Sequence, residues 1–312
     1  MEIGIVAGPW GMSFEDVLDA YRQAEQLGFP VFYLGDHFEV GAARDSIDPY
    51  ILFTLIARET STIRFGPLVT PVTFRPPSNV GRLAAQLDIL SGQRFVLGLG
   101  SAWNEAEHTI FGAPFPPLRE RFDRLEEMIQ VMRLMWGPGP ANFEGTYYQL
   151  RDCDALPKPA EGRPPIVLGG GGEKRTLQLV AKYAAEWSAP GLTPEAFRRK
   201  LGVLAEHCAS VGRDPATVRH SMLSMGPVGA TQADIEAATQ QQIERTPPSP
   251  RMSLAEYRQA LKEQGGIVGG VGEVVDSLGQ LAAAGVDEAL FVYSPNLLPF
   301  LASEILPVAA KF

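Results

Sequence analysis

Short apolar runs alternate with amphipathic stretches along almost the whole chain. The runs at 2–7, 31–34, 64–70 and 95–99 predict buried parallel strands, and so do those at 165–168, 186–189, 219–226 and 288–293. Between them, apolar residues recur at helical spacing, as in the stripe that starts after Ser13 and stops at Gly28. Eight strand–helix units in one series predict an α/β fold of the (β/α)8 TIM-barrel type, with a doubly wound open sheet as the alternative.

One polar, proline-rich stretch interrupts this series after strand seven, at about 232–270. We interpret it as an insertion and a candidate lid within a single domain over residues 1–312. A chain of 312 residues that is 45% hydrophobic can bury a core without a disulfide or a structural metal. Cys153 and Cys208 form no C-x-x-C pair, which is typical of a reducing compartment.

The charge balance narrows the range of partners. A net charge of −9 argues against nucleic acid or an anionic membrane as the main partner. The chain has no run of 18 apolar residues, and its first residues resemble a strand rather than a leader peptide. We therefore expect a cytoplasmic protein with a small-molecule partner and no membrane contact.

Polar residues cluster where predicted strand four ends. Two glycines, Gly98 and Gly100, precede the segment Ser101, Ala102, Trp103, Asn104, and two glutamates follow it. Chemistry in α/β proteins lies just past the C-terminal ends of parallel strands. This segment is therefore the first candidate site.

A histidine follows predicted strand two, in the sequence Gly35-Asp36-His37-Phe38. In a barrel, His37 would face the mouth and could move a proton at neutral pH, with Asp36 orienting it or accepting a hydrogen bond from a ligand. The alternative is that His37 caps its loop and Asp36 is a turn residue. The chain has no His-x-x-x-His or similar spacing, so we expect no metal.

A glycine run follows predicted strand five, and it comprises Gly169, Gly170, Gly171 and Gly172, with Lys174, Arg175 and Thr176 close behind. Backbone N–H groups of such a run, together with a helix N-terminus, can bind a phosphate. The alternative is a tight strand–helix turn with a basic solvated face. The spacing matches neither a dinucleotide-binding fingerprint nor a P-loop.

Predicted strand three ends at Leu68, Val69, Thr70 and Pro71. The proline indicates either a simple strand terminator or a kinked strand end that presses against a flat ring. Aromatic side chains at other strand ends, Phe38, Phe74 and Trp103, are core residues or the walls of an apolar substrate pocket.

Taken together, these segments resemble the bacterial-luciferase-like superfamily, and more narrowly its deazaflavin (coenzyme F-420)-dependent oxidoreductases. The resemblance rests on residues 35–38, 68–77, 87–108, 115–122 and 169–177 and covers about 1–306. It implies a TIM barrel with an excursion after strand seven, a flavin or deazaflavin across the barrel mouth, and a homodimer.

The same resemblance implies roles for individual residues. His37 takes the place of an active-site histidine that acts as proton donor, base or electrostatic stabiliser, and Asp36 hydrogen-bonds near the ring. The segment 68–70 corresponds to a bulge, often with a non-prolyl cis peptide, that backs the ring. Residues 101–104 line the ring, and 169–176 bind the phosphate.

One departure bears on the substrate. Sugar-phosphate dehydrogenases of this group carry a catalytic Glu in the segment where this chain has Trp103 and Asn104, which argues against a sugar phosphate. The expected function is F-420-dependent hydride transfer with a small organic substrate. The alternatives are an FMN-dependent luciferase-like monooxygenase, a non-catalytic flavin carrier and a cofactor-free lyase or isomerase. For a cofactor-free lyase or isomerase, the chain lacks a strand-end Lys or metal ligands.

Overall fold

The strands form a closed parallel barrel. The computed structural model describes residues 1–40, 45–160, 164–245 and 252–312. Within these ranges, the barrel strands are β1 (Glu2–Ala7), β2 (Val31–Leu34), β3 (Arg64–Pro67), β4 (Thr70–Pro71), β5 (Leu97–Gly100), β8 (Ile166–Gly169), β9 (Glu186–Ala189), β10 (Arg219–Ser224) and β11 (Glu288–Val292). Their order is β3-β2-β1-β11-β10-β9-β8-β5-β4, and every pair is parallel.

Predicted strand three is two strands, because the backbone breaks between β3 and β4. A cis peptide joins Leu68 and Val69 at the break, as the resemblance implied. β3 pairs with β2, whereas β4 pairs with β5. A bridge between Phe65 and Phe95 closes the remaining seam, so the open-sheet alternative is wrong.

Helices connect the strands in the described ranges. They are α1 (Phe14–Gln26), α2 (Pro49–Glu59), α3 (Pro77–Ser91), α4 (Glu105–Phe111), α5 (Leu118–Met135), α6 (Thr176–Tyr183), α7 (Pro194–Ser210), α8 (Gln232–Arg245), α9 (Leu254–Glu263), α10 (Val271–Ala282), α11 (Leu297–Phe300) and α12 (Leu306–Ala309). A π-helical turn, Leu301–Ile305, joins the last two. Within the described ranges, no helix is both long and apolar enough to cross a bilayer.

Local chemistry explains where several helices begin and end. Ser13 and Asp16 form a capping box at the start of α1, and Ser253 and Glu256 form another at α9. Gly92 ends α3 in the left-handed conformation, which glycine adopts without steric cost.

Two additions interrupt the repeated unit. A hairpin of β6 (Ala141–Glu144) and β7 (Gln149–Cys153) precedes β8. The predicted excursion contains the helices α8 and α9, which precede the regular barrel helix α10. The proline-rich part of the candidate lid, 246–251, lies outside the described residues.

The barrel interior has an apolar layer above a charged floor. Six residues from five strand segments fill the apolar layer: Val6, Val31, Tyr33, Val96, Val167 and Leu290. The first residues of five strands form the floor, and we call Glu2, Arg64, Glu186, Arg219 and Glu288 the floor cluster. The floor lies at the N-terminal end of the strands, where residues of such barrels serve stability rather than chemistry.

Candidate active site

Loops from four strands meet at the C-terminal rim of the barrel. His37 follows β2, Val69 follows β3, Ser101 follows β5 and Gly170 follows β8. The Val69 side chain lies between the strand ends: a Cβ at Gly100 would be 2.5 Å from Val69 Cγ2, and one at Gly169 would be 3.0 Å from Val69 Cγ1. The two glycines therefore leave the space that this valine fills.

His37 is held by a buried carboxylate. Its Nδ1 is 2.9 Å from Glu107 Oε1, and the backbone N–H of Phe38 donates to Glu107 Oε2 at 3.1 Å. Glu107 lies in the first turn of α4 and is 1% exposed. An ionised carboxylate only accepts, so the pair fixes a proton on Nδ1. Nε2 has no protein partner among the described residues and is left for a ligand.

The prediction that Asp36 orients His37 is wrong. Asp36 is buried and accepts from Thr70 Oγ1 at 2.8 Å and from Arg75 Nη1 at 2.6 Å. Arg75 also bonds Asp48 at 2.7 Å. Burial raises the pKa of Asp36 against the opposing effect of Arg75 and Thr70. Asp36 therefore ties β2 to β4 beneath the rim, and its contact with a ring stays a prediction.

Aromatic side chains surround the imidazole. The indole of Trp103 meets His37 edge-on with ring centroids 5.5 Å apart, and that of Trp10 lies at 6.1 Å on a tilted plane. Phe38 stacks on Phe74 at 4.1 Å. Trp103 is 68% exposed. The predicted pocket residues are thus grouped at the mouth, and Trp103 is not a core residue.

The segment after β5 is fixed by its backbone carbonyls. Ala102 adopts a φ of 63°, and its carbonyl accepts from Arg121 Nη1 at 3.0 Å. The Asn104 side chain donates to the carbonyl of Glu39, and the Asn104 carbonyl accepts from His108 Nδ1. Ser101 is half-buried beside them. This segment is a rigid wall of the mouth.

Two predicted cations follow the glycine loop, which comprises residues 169–173, and they differ in their surroundings. Lys174 is exposed and forms no ion pair within the described part of the chain. Arg175 bonds Asp123 at 2.6 Å and lies over the ring of Phe122. Thr176 is buried at the first position of α6. Lys174 is therefore the more available of the two cations.

The glycine loop fits a phosphate group. The N–H groups of Gly171, Gly172 and Glu173 donate to no acceptor among the described residues. They precede α6, whose N-terminus carries partial positive charge. A Cβ at Gly172 would lie 3.0 Å from Thr176 Oγ1, so a side chain there would crowd the loop. The residues present fit the phosphate of a flavin-type coenzyme.

Sequence reasoning missed Glu107, Trp10 and Lys200, among other residues that the structure places at or behind the site. Glu107 was visible only as an acid in the stretch after strand four, because the short helix α4 was not predicted. Trp10 lies over Gly8, where a Cβ would meet its ring. Lys200 reaches the glycine loop from α7. No local signal in the sequence identifies Lys200 as part of the site.

A closed (β/α)8 barrel thus carries a histidine, a broken strand and a glycine loop on one rim. The family described as luciferase-like monooxygenase matches residues 1–288. The chain belongs to this family.

Several relatives are named for a deazaflavin coenzyme. An F420-dependent glucose-6-phosphate dehydrogenase of Intrasporangium calvum is 33% identical over 189 residues, covering 59% of this chain and 55% of the relative. An F420-dependent hydroxymycolic acid dehydrogenase of Mycobacterium tuberculosis is 31% identical over 227 residues, covering 72% and 62%. The chain thus spans little more than half the length of these curated relatives.

A solved structure supports the fold over the whole chain. An F420-dependent secondary alcohol dehydrogenase in complex with an F420-acetone adduct superposes with a TM-score of 0.83 at 20% identity, covering 99% of this chain and 98% of that one. At this identity the likeness shows the TIM-barrel fold.

Proposed function

We propose that this protein is a coenzyme F-420-dependent oxidoreductase that acts on a small organic substrate. The names of the dehydrogenase relatives support the coenzyme, and the phosphate-fitting loop supports a phosphorylated one. When bound, the coenzyme supplies a two-electron hydride donor or acceptor.

The observation that carries this proposal is the His37–Glu107 pair at the rim. Glu107 holds the proton on Nδ1, so Nε2 of His37 is the atom that takes or gives a proton at the substrate. Trp103 and Trp10 shield the imidazole on two sides. In the proposed complex, the backbone at Leu68–Val69 would support the ring of the coenzyme from one side and residues 101–104 would line that ring. The glycine loop would bind the phosphate of the coenzyme.

The surroundings of the mouth favour an uncharged, apolar substrate. Phe38, Phe74 and Trp103 form its walls, and the nearby Arg75 is already bonded to two aspartates. The helices α8 and α9 are the candidate lid that excludes water. Within this proposal the protein is a cytoplasmic homodimer of single-domain chains.

Coenzyme titration and turnover test the proposal together. Purified protein should bind coenzyme F-420 at micromolar concentration or below, and should reduce or oxidise it with a panel of alcohols, ketones and activated alkenes. His37→Ala should lower kcat by about 10²–10⁴-fold and change coenzyme affinity little. His220→Gln, on β10 away from the rim, is the matched control and should retain activity.

The second candidate is an FMN-dependent monooxygenase, which the family description favours. The same titration separates the two. Tight FMN binding with no F-420 binding would overturn the proposed coenzyme. Tight F-420 binding without any turnover across the panel would indicate a carrier instead.

A further inference from the structure

Four successive carbonyls of the glycine loop, those of residues 170–173, accept hydrogen bonds from other parts of the chain. Gly170 O accepts from Trp187 Nε1 at 2.7 Å, and Gly171 O accepts from Lys200 Nζ at 2.7 Å. Gly172 O accepts from the backbone N–H of Leu177 at 3.1 Å. His207 Nε2 lies 2.9 Å from Glu173 O and must carry a proton to donate there. Three of the four donors are side chains from β9 and α7.

These donors fix the direction of the loop's N–H groups. In a planar trans peptide, the carbonyl of one residue and the N–H of the next point in opposite directions. The carbonyls that Trp187, Lys200 and His207 hold therefore turn the following N–H groups, those of Gly171, Gly172 and Lys174, away from these three side chains. These three N–H groups, and that of Glu173, donate to no acceptor in the described part of the chain.

Lys200 is the unusual member of this group. It is 9% exposed, yet its ammonium lies behind the loop and also bonds Glu173 Oε1 at 3.0 Å. Burying a lysine is costly unless its charge is paired and hydrogen-bonded. Arg199, its neighbour on α7, also pairs with Glu173, at 3.2 Å, but is largely exposed and contacts no loop carbonyl.

We propose that Lys200, together with Trp187 and His207, pre-orients the glycine loop so that its N–H groups bind the phosphate of the coenzyme. This inference rests on the proposed function, because it takes a phosphorylated flavin or deazaflavin as the ligand. The three side chains are positioning residues, since they act through the loop backbone and not through contact with the ligand. They are absent from the predicted set because they follow the loop by 17 residues or more.

The test compares ligands with and without the phosphate. The affinities of wild type and Lys200→Met are measured by fluorescence titration with coenzyme F-420, its phosphate-free deazaflavin core, FMN and riboflavin. Lys200→Met should weaken binding of the preferred phosphorylated ligand about 10- to 100-fold, the range for a lost charge-assisted hydrogen bond. The affinity for the phosphate-free counterpart of that ligand should change less than about 3-fold.

Two further variants make the result specific. Arg199→Met also removes a positive charge beside Glu173, but this side chain contacts no loop carbonyl. The preference for phosphate, which is the ratio of the affinities for the phosphorylated and the phosphate-free ligand, should stay within about 3-fold of wild type. His207→Leu removes a single hydrogen bond to the Glu173 carbonyl and should reduce that preference less than Lys200→Met does. Because Lys200→Met can lower stability, its melting temperature is measured and the titrations are run well below it. If Lys200→Met fails to fold, His207→Leu alone decides.

The outcomes separate this inference from the proposed function. The inference is overturned if wild type does not prefer the phosphorylated ligand, or if Lys200→Met and His207→Leu keep the full preference. If wild type binds FMN more tightly than F-420, and Lys200→Met abolishes its preference for FMN over riboflavin, the inference is supported and the coenzyme assignment alone is overturned.

Discussion

The floor cluster should make the stability of this protein depend on pH. Glu288 is fully buried at the barrel floor, bonds Arg219 at 3.1 Å and Arg64 at 3.3 Å, and leaves Oε2 unpartnered among the described residues. Burial and the nearby Glu186 raise the pKa of Glu288 from 4.5 to about 8, against the effect of the two arginines. Glu186 is itself buried, and burial raises its pKa as well.

The size of the effect follows from this raised pKa. The folded protein keeps a proton on Glu288 that the unfolded chain releases above about pH 4.5, so the free energy of unfolding falls as the pH rises. Each pH unit removes about 1.4 kcal/mol, and the interval up to about pH 8 removes about 5 kcal/mol. Glu288→Gln mimics the protonated carboxyl and should remove most of this loss. Relative to wild type, the variant gains stability as the pH rises from 5 to 9.

Urea unfolding at pH 5, 7 and 9 measures the difference. Glu2→Gln is the matched control, because Glu2 bonds the same two arginines but is half-exposed. At Glu2 desolvation is outweighed by the hydrogen bond and charge of Arg219 and by Arg64, so its pKa is lowered. The contribution of Glu2 to stability is therefore lost only in acid. The free energy of unfolding of Glu2→Gln, plotted against pH, should run parallel to that of wild type from pH 5 to 9. Parallel curves for wild type and Glu288→Gln would refute the reasoning.

Three other substitutions test separate parts of the structure. Glu107→Gln should lower kcat about 10- to 100-fold with little change in KM, and ¹⁵N NMR of the His37 ring should show a mixture of tautomers in place of the Nδ1–H form. An unchanged tautomer would contradict the positioning role. Trp103→Ala should raise the KM of an apolar substrate while the free energy of unfolding stays within about 0.5 kcal/mol of wild type, as denaturant curves would show. Arg94→Met should cost about 3–5 kcal/mol in the same unfolding assay, because Arg94 donates to the carbonyls of Ala57, Thr60 and Ile63; a loss below 1 kcal/mol would be inconsistent with this.

Much of the barrel could be predicted because its strands are short, buried and apolar. The predicted segments 2–7, 31–34 and 186–189 match β1, β2 and β9 residue for residue. Burial on both faces makes such runs continuous in sequence and easy to bound. The capping boxes at Ser13 and Ser253 were also visible, since they depend only on residues three apart.

The contacts that build the site could not be predicted in the same way. The partner of His37 is Glu107, 70 residues away, and not the adjacent Asp36. Adjacent residues on an extended segment point in opposite directions, so Asp36 faces Thr70 and Arg75. The floor cluster had a signal that was not used: a charged residue at the first position of five strands.

The proposed function requires the coenzyme to lie across the rim, and a crystal structure of the protein with coenzyme F-420 tests this most directly. We predict the ring over the Leu68–Val69 peptide with Nε2 of His37 facing it, and the phosphate within hydrogen-bond distance of the N–H groups at 171–173. A ring bound outside the rim, or a phosphate that does not touch the glycine loop, would contradict it.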